Sequence, residues 1–184
     1  MSTVAAVLGL ASAAGINAYA TLFVLGLAVR LHVVDFQSHA ARFFASTPAL
    51  IVLGILYLLE FFADKIPAVD HVWDAIHTFI RPVAGAAAAI AVVGGHANEG
   101  WVIVAALVAG TTSLLFHGAK ATGRLAVSAT TLGTGNWFVS LIEDAIAITG
   151  SILALVVPVA ALFFVLVLLL LALWFWRSRR AAAH

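Results

Sequence analysis

Apolar residues run along this chain in long blocks, and the breaks between blocks carry most of its polar residues. The first block spans Thr3 to Val29 and is interrupted by SAAGINAYAT, Ser12 to Thr21. A polar loop, RLHVVDFQSHAARFFASTP, leads to a second block from Ala49 to Ala63. The stretch EFFADKIPAVDHVWDAIHTFIRP separates it from a third, Pro82 to Gly95, and the turn GGHANEG precedes a fourth, Trp101 to Phe116. HGAKATGRLAVSATTLGTGN is basic at first and rich in glycine and threonine later. Trp137 to Trp176 is then apolar apart from a few small polar residues and the adjacent acids Glu143 and Asp144.

Blocks of about 20 apolar residues cross a bilayer as helices, because lipid offers backbone groups no partner. A single helix over the last block would measure about 60 Å, twice the hydrocarbon core. It must therefore turn, either at Thr149 to Ser151 or just before Pro158. The pattern predicts an all-α, polytopic transmembrane helix bundle of about six spans. It forms a single integral membrane domain over residues 1–184, with broken or re-entrant segments where blocks are short.

Composition agrees with the pattern. Of 184 residues 64% are hydrophobic and 9% charged, and the mean hydropathy is +1.15. Soluble domains are about half apolar and about a quarter charged, so the expected surroundings are the lipid bilayer. There is no cysteine, which excludes disulfides, thiolate metal sites and cysteine nucleophiles. A net charge of +1 gives a nucleic-acid partner no electrostatic support. No Lys or Arg precedes Arg30, so the first block is expected to be a retained span and not a secretory signal.

Cations set the expected orientation. Six spans put both termini on one side. Placing RSRR in the cytoplasm puts Lys65, Arg81, Lys120, Arg124, Arg177, Arg179 and Arg180 there and leaves Arg30 and Arg42 outside. The expectation is a multi-pass protein of the bacterial cytoplasmic membrane with cytoplasmic termini. Trp174 and Trp176 beside the basic tail suit an interfacial anchor. Weak internal similarity sets LYLLEFFADKI against VSLIEDAIAIT and IRPVAGA against VVPVAAL. Two inverted three-helix repeats, 1–95 and 96–184, would produce it, and so would chance likeness between apolar segments.

Glu60 to Pro82 holds four of the eight carboxylates, two of the nine cations and two of the seven histidines. On a helix Asp70, Asp74 and His77 share one face, where they can hold a divalent metal or relay protons. Pro67 forbids one helix from Glu60 to His77, and Asp70 can cap the helix that follows. An amphipathic helix lying at the interface explains the same residues without any site. Glu60 continues an apolar run and is expected within the apolar layer, as are Glu143 and Asp144. Buried carboxylates there face a partner or a polar cavity, since each costs at least about 2.5 kcal/mol. His117, Lys120 and Arg124 fall on one helical face. They can neutralise Glu60 or Glu143, hold an anionic lipid headgroup, or simply form a positive cytoplasmic flank. Asn17, after Gly15, can mark an unwound segment or merely bond a neighbouring helix.

GINAY, the Glu60–Pro82 stretch, HGAKATGR and SLIEDAIA together resemble a family of small bacterial membrane proteins defined only as a domain of unknown function, number 4126. The resemblance covers nearly the whole chain. It implies a polytopic membrane protein and makes Asn17, Glu60, Asp64, Lys65, Pro67, Asp70, Trp73, Asp74, His77, Arg81, Pro82, Lys120, Glu143 and Asp144 motif positions. It brings no activity, substrate or cofactor. Three functions stay open on the residues themselves. The first is a small transporter or flippase-like protein handling an anionic lipid or small ion, with Asn17, Glu60, Asp64, Lys65, Asp70, Asp74, His77, Arg81, His117, Lys120, Arg124, Glu143 and Asp144 as its substrate- or ion-binding set. The second is a structural subunit or assembly factor of a membrane complex; a homo-oligomer stays open as a separate matter. The third is an intramembrane enzyme with Asp70, Asp74 and His77 holding a metal; otherwise no cofactor is expected.

Overall fold

The computed structural model describes residues 2–131 and 134–181; the side chains of Pro67, Ala68, Asp70 and His71, and many after Val167, lie outside that description. Eight helices and no strand are found among the described residues: α1 (Ser2–Ile16), α2 (Ala18–Arg30), α3 (His39–Phe44), α4 (Thr47–Ala63), α5 (Pro67–Val93), α6 (Glu99–Thr131), α7 (Asn136–Val156) and α8 (Pro158–Ala181). Three of them, α5 from Val72, α6 and α7, are long and apolar enough to cross a membrane.

The first apolar block is two helices, not one span. Asn17 has extended backbone angles, φ −144° and ψ 106°, and its side-chain oxygen accepts from the Ala20 N–H to cap α2. Side-chain contacts then fix the path. Asn17 bonds Asp144 of α7, and Gly9 packs on Ala154, so α1 runs antiparallel to α7. Thr21 bonds Ser151, two turns beyond Asp144, so α2 doubles back along the direction α1 came from. Thr3 and Asp35 consequently line one cavity, of about 510 Å³, with His96 and Pro158. From there α4 descends from Thr47, which Arg30 holds at 2.8 Å, to Glu60 near Asn17. The α5 helix returns to His96, α6 descends again, and α7 rises to Val156.

The second turn lies before Pro158: α7 continues through Thr149–Ser151 and breaks at Val157. Pro158 has no N–H to continue the ladder. Phe164 of α8 then approaches Gly150, so α7 and α8 form a second hairpin. The described chain thus starts at the Pro158 end, while α8 heads toward the Asn17 end. The break at Asn17 adds a reversal to the path expected of the first apolar block.

Two boundaries also move. Pro67 does separate α4 from α5, but the N-cap is Ile66 and not Asp70, which falls in the first turn. Pro82 lies inside α5, so the expected surface helix and third span are one helix. Likewise α6 runs on to Thr131 through the Gly/Thr-rich stretch, whose threonine hydroxyls bond carbonyls one turn back.

Packing has the character of a membrane bundle. The buried core is mostly alanine, while Ile51, Phe62, Phe79, Leu107 and Phe163 are exposed. Small residues let backbones approach closely where lipid removes any hydrophobic drive between helices. At Gly85 an added Cβ would stand 2.7 Å from Ser113 Cβ and 2.9 Å from the Ala109 carbonyl. The α5–α6 pair closes through that point.

Candidate functional site

The reversal at Asn17 leaves the last carbonyls of α1 without helical donors, and a helix C-terminus carries partial negative charge. Two cations answer it. Arg81 of α5 donates through Nη1 to the Gly15 carbonyl at 3.0 Å, and Lys120 of α6 donates to the Ile16 carbonyl at 3.0 Å. Gly15 permits this because α6 crosses it so closely that a Cβ would clash with Ser113 and Phe116. The same side chains then carry the charge of the acids around them.

Two clusters result. In the first, Arg81 Nη2 donates to Glu60 Oε1 at 2.8 Å, with Asp74 3.7 Å from the same nitrogen. Arg81 also donates to His117 Nδ1 at 2.7 Å, and Ser113 Oγ donates to the Arg81 carbonyl. His77 brings Nε2 to 4.0 Å from Glu60 Oε1, and its ring packs edge-on against Tyr19 at 5.4 Å. In the second cluster, Asp64 Oδ2 receives Lys120 at 3.1 Å and Arg124 at 2.7 Å. Glu143 Oε2 receives the Arg124 Nε at 2.8 Å and its Nη2 as well, and stands 3.6 Å from Lys120. Lys120 touches both the α1 terminus and the second cluster, joining the two.

Asp144 completes the ring from α7, held by the Asn17 amide at 2.9 Å. Lys65 reaches the Ser140 hydroxyl at 3.3 Å and the Phe61 carbonyl at 2.8 Å, its ammonium over the Phe61 ring. Glu60, His77 and Arg81 are 0% exposed and Arg124 1%, so these are ion pairs in the interior and not at a surface. Breaking a buried pair costs about 3–5 kcal/mol, since the partner is left as an uncompensated charge.

Most expected site residues converge here: Asn17, Glu60, Asp64, Asp74, His77, Arg81, His117, Lys120, Arg124, Glu143 and Asp144, with Lys65 at the margin. The one face expected of His117, Lys120 and Arg124 is buried in the bundle. Pairing differs in one respect: Glu60 binds Arg81, one residue before Pro82, and not Lys120 or Arg124. Asp70 lies outside the described side chains. Among the described residues no group of three or more His, Asp or Glu is placed to hold a metal ion.

Sequence reasoning missed Ser113 and Thr78. Ser113 sits four residues before His117, so extending that face one turn would have found it. Thr78 had no signal, because its hydroxyl meets His117 across two helices.

Several polar atoms within the ring have no hydrogen-bond partner among the described residues: Glu60 Oε2, Asp64 Oδ1, His77 Nε2 and Asp144 Oδ2. Buried polar groups are nearly always satisfied by protein or water, so these atoms are the open hydrogen-bonding positions of the ring. No curated protein and no solved structure matches the chain. The family described as "Domain of unknown function (DUF4126)" matches residues 4–178. Matched over almost its entire length, the chain belongs to that family.

Proposed function

We infer that this is a small membrane transporter or flippase-like protein whose substrate pathway passes the ring of charges between the two helical hairpins. One observation carries this: a helix broken inside an apolar bundle, with Arg81 and Lys120 on the freed carbonyls and acids from α4 and α7 around them. Broken helices whose ends meet ions or substrates at mid-bundle are the recurrent device of secondary transporters. Intramembrane charge kept at such cost usually belongs to an ion or substrate route. Glu60 and Glu143 are the coupling carboxylates of this scheme; Arg81, Lys120 and Arg124 neutralise them or hold an anionic group when the pairs part. The α4 and α7 helices, which carry these acids, run in opposite directions, as inverted halves would require. The cavity lined by Asp35 and His96 is the approach from the other end.

The test uses purified protein in vesicles. Leakage of entrapped monovalent ions and phosphate, and translocation of fluorescent anionic lipid, are measured for wild type, Glu60→Gln and Glu143→Gln. A wild-type flux that drops at least about tenfold in both variants supports a transporter. Wild-type vesicles no leakier than empty ones for every probe would overturn it.

A structural subunit is the second reading, favoured by the direct pairing of Arg124 with both Asp64 and Glu143. A stoichiometric partner retained in mild detergent, with no flux, would establish it.

A further inference from the structure

The two buried histidines of the ring differ in what their neighbours allow. A neutral imidazole has one N–H donor and one lone pair. His117 uses both. Arg81 can only donate, so the His117 Nδ1 at 2.7 Å from it must accept. Its Nε2 therefore carries the hydrogen and donates to Thr78 Oγ1 at 3.1 Å. The Thr78 hydroxyl donates in turn to the Asp74 carbonyl. His117 is a neutral link with no capacity left.

His77 is the opposite case. Its Nδ1 lies 2.8 Å from the Trp73 carbonyl, which can only accept, so Nδ1 carries the hydrogen. Nε2 is then a bare lone pair, fully buried, without a hydrogen-bond partner among the described residues, and 4.0 Å from Glu60 Oε1, the oxygen that also accepts from Arg81. Glu60 spends Oε1 on Arg81 and leaves Oε2 without a partner. Acceptor faces acceptor at a distance beyond a hydrogen bond, and a proton is what would let them close and bond.

Charge points the same way. The described acids of the ring are Glu60, Asp64, Asp74, Glu143 and Asp144, five carboxylates. Four cations stand with them: Lys65, Arg81, Lys120 and Arg124. Among the described residues the carboxylates therefore outnumber the cations by one.

We propose that Glu60 and His77 together form a one-proton binding site, in which a proton from water is held between the carboxylate and Nε2 and joins α4 to α5. The proton comes from a hydronium ion, whose O–H bond breaks to leave water, and adds to a lone pair of the site; the pair's charge goes from −1 to neutral. Groups facing it from each side are Tyr19 on α2, Asp64 after α4, Arg81 on the same helix and Lys120 on α6. Arg81 opposes uptake until Glu60 exchanges partners, so protonation and loosening of the Glu60–Arg81 pair are linked. In a transporter this makes the proton the coupling ion, a role that rests on the proposed function above; the site itself does not.

The experiment is NMR on protein in lipid bilayers, with ¹⁵N-histidine and ¹³C-glutamate, from about pH 9 to pH 5. The His77→Gln and Glu60→Gln variants assign the two signals. Expected is a change at His77 Nε2, at the Glu60 carboxyl or at both, each lost or shifted in the reciprocal variant. His117 stays an Nε2–H tautomer throughout and reports that the ring remains folded. A His77 that keeps a bare Nε2 beside an unchanged Glu60 over the whole range would overturn the proposal. So would a His77 titration that is identical in Glu60→Gln with His117 intact. Titration without flux retains the proton site and removes the transporter; flux with a silent pair does the reverse.

Discussion

Arg81 donates to the Gly15 carbonyl at 3.0 Å: a side chain from the middle of α5 closes the open end of α1, sixty-six residues away in sequence. The same guanidinium holds Glu60 and His117. Backbone break and charge cluster are therefore one structure, and each depends on the other.

Replacing Arg81 should show this dependence. Arg81→Met is expected to destabilise by about 3–5 kcal/mol, because Glu60 is left charged without a partner. Arg81→Met/Glu60→Gln should recover a large part of that loss. Thermal unfolding in detergent gives both values, and additive losses would mean the two residues do not act as a pair.

Asn17→Ala removes the cap of α2 and the amide bound to Asp144. Caps contribute about 1 kcal/mol and hydrogen bonds to charged groups about 1.5–3. The expected cost is roughly 2–4 kcal/mol by those figures. Asn17→Ser retains the cap alone and should lose distinctly less. Equal losses would remove Asp144 from the account.

Glycines divide by surroundings. Gly85→Ala drives a methyl into Ser113 and the Ala109 carbonyl and should cost about 1–3 kcal/mol through overpacking. Gly118 and Gly123 have nothing within 4 Å of an added Cβ, so alanine there should be neutral or stabilise by up to about 1 kcal/mol through helix propensity. Unfolding midpoints of the three variants decide it.

The chain contains no cysteine, so single cysteines test the reversal at Asn17 directly. Thr3→Cys, Asp35→Cys and His96→Cys should all react with a membrane-impermeant thiol reagent from one side of oriented vesicles. Thr134→Cys should react from the other side. A single first span would place Thr3 with Thr134 instead.

Hydropathy alone determined that this protein is helical, with helices long and apolar enough to cross a membrane, because an apolar backbone in lipid has few ways to satisfy its hydrogen bonds. Local chemistry determined the break at Pro67 and the shared face of His117, Lys120 and Arg124, since these depend only on neighbours along the chain. The fate of a polar or flexible stretch was not legible: the residues after Arg124 are helical to Thr131 although none of 125–131 is buried, with threonine hydroxyls bonded to carbonyls one turn back. Nor could spacing say that α2 doubles back, since Asn17 permits any angle and only Thr21 and Ser151 meeting on α7 selects one. Pairing was decided last. Glu60 chooses Arg81 over Lys120 because the crossing of α4, α5 and α6 brings that guanidinium within 2.8 Å, and such a distance belongs to the tertiary structure alone.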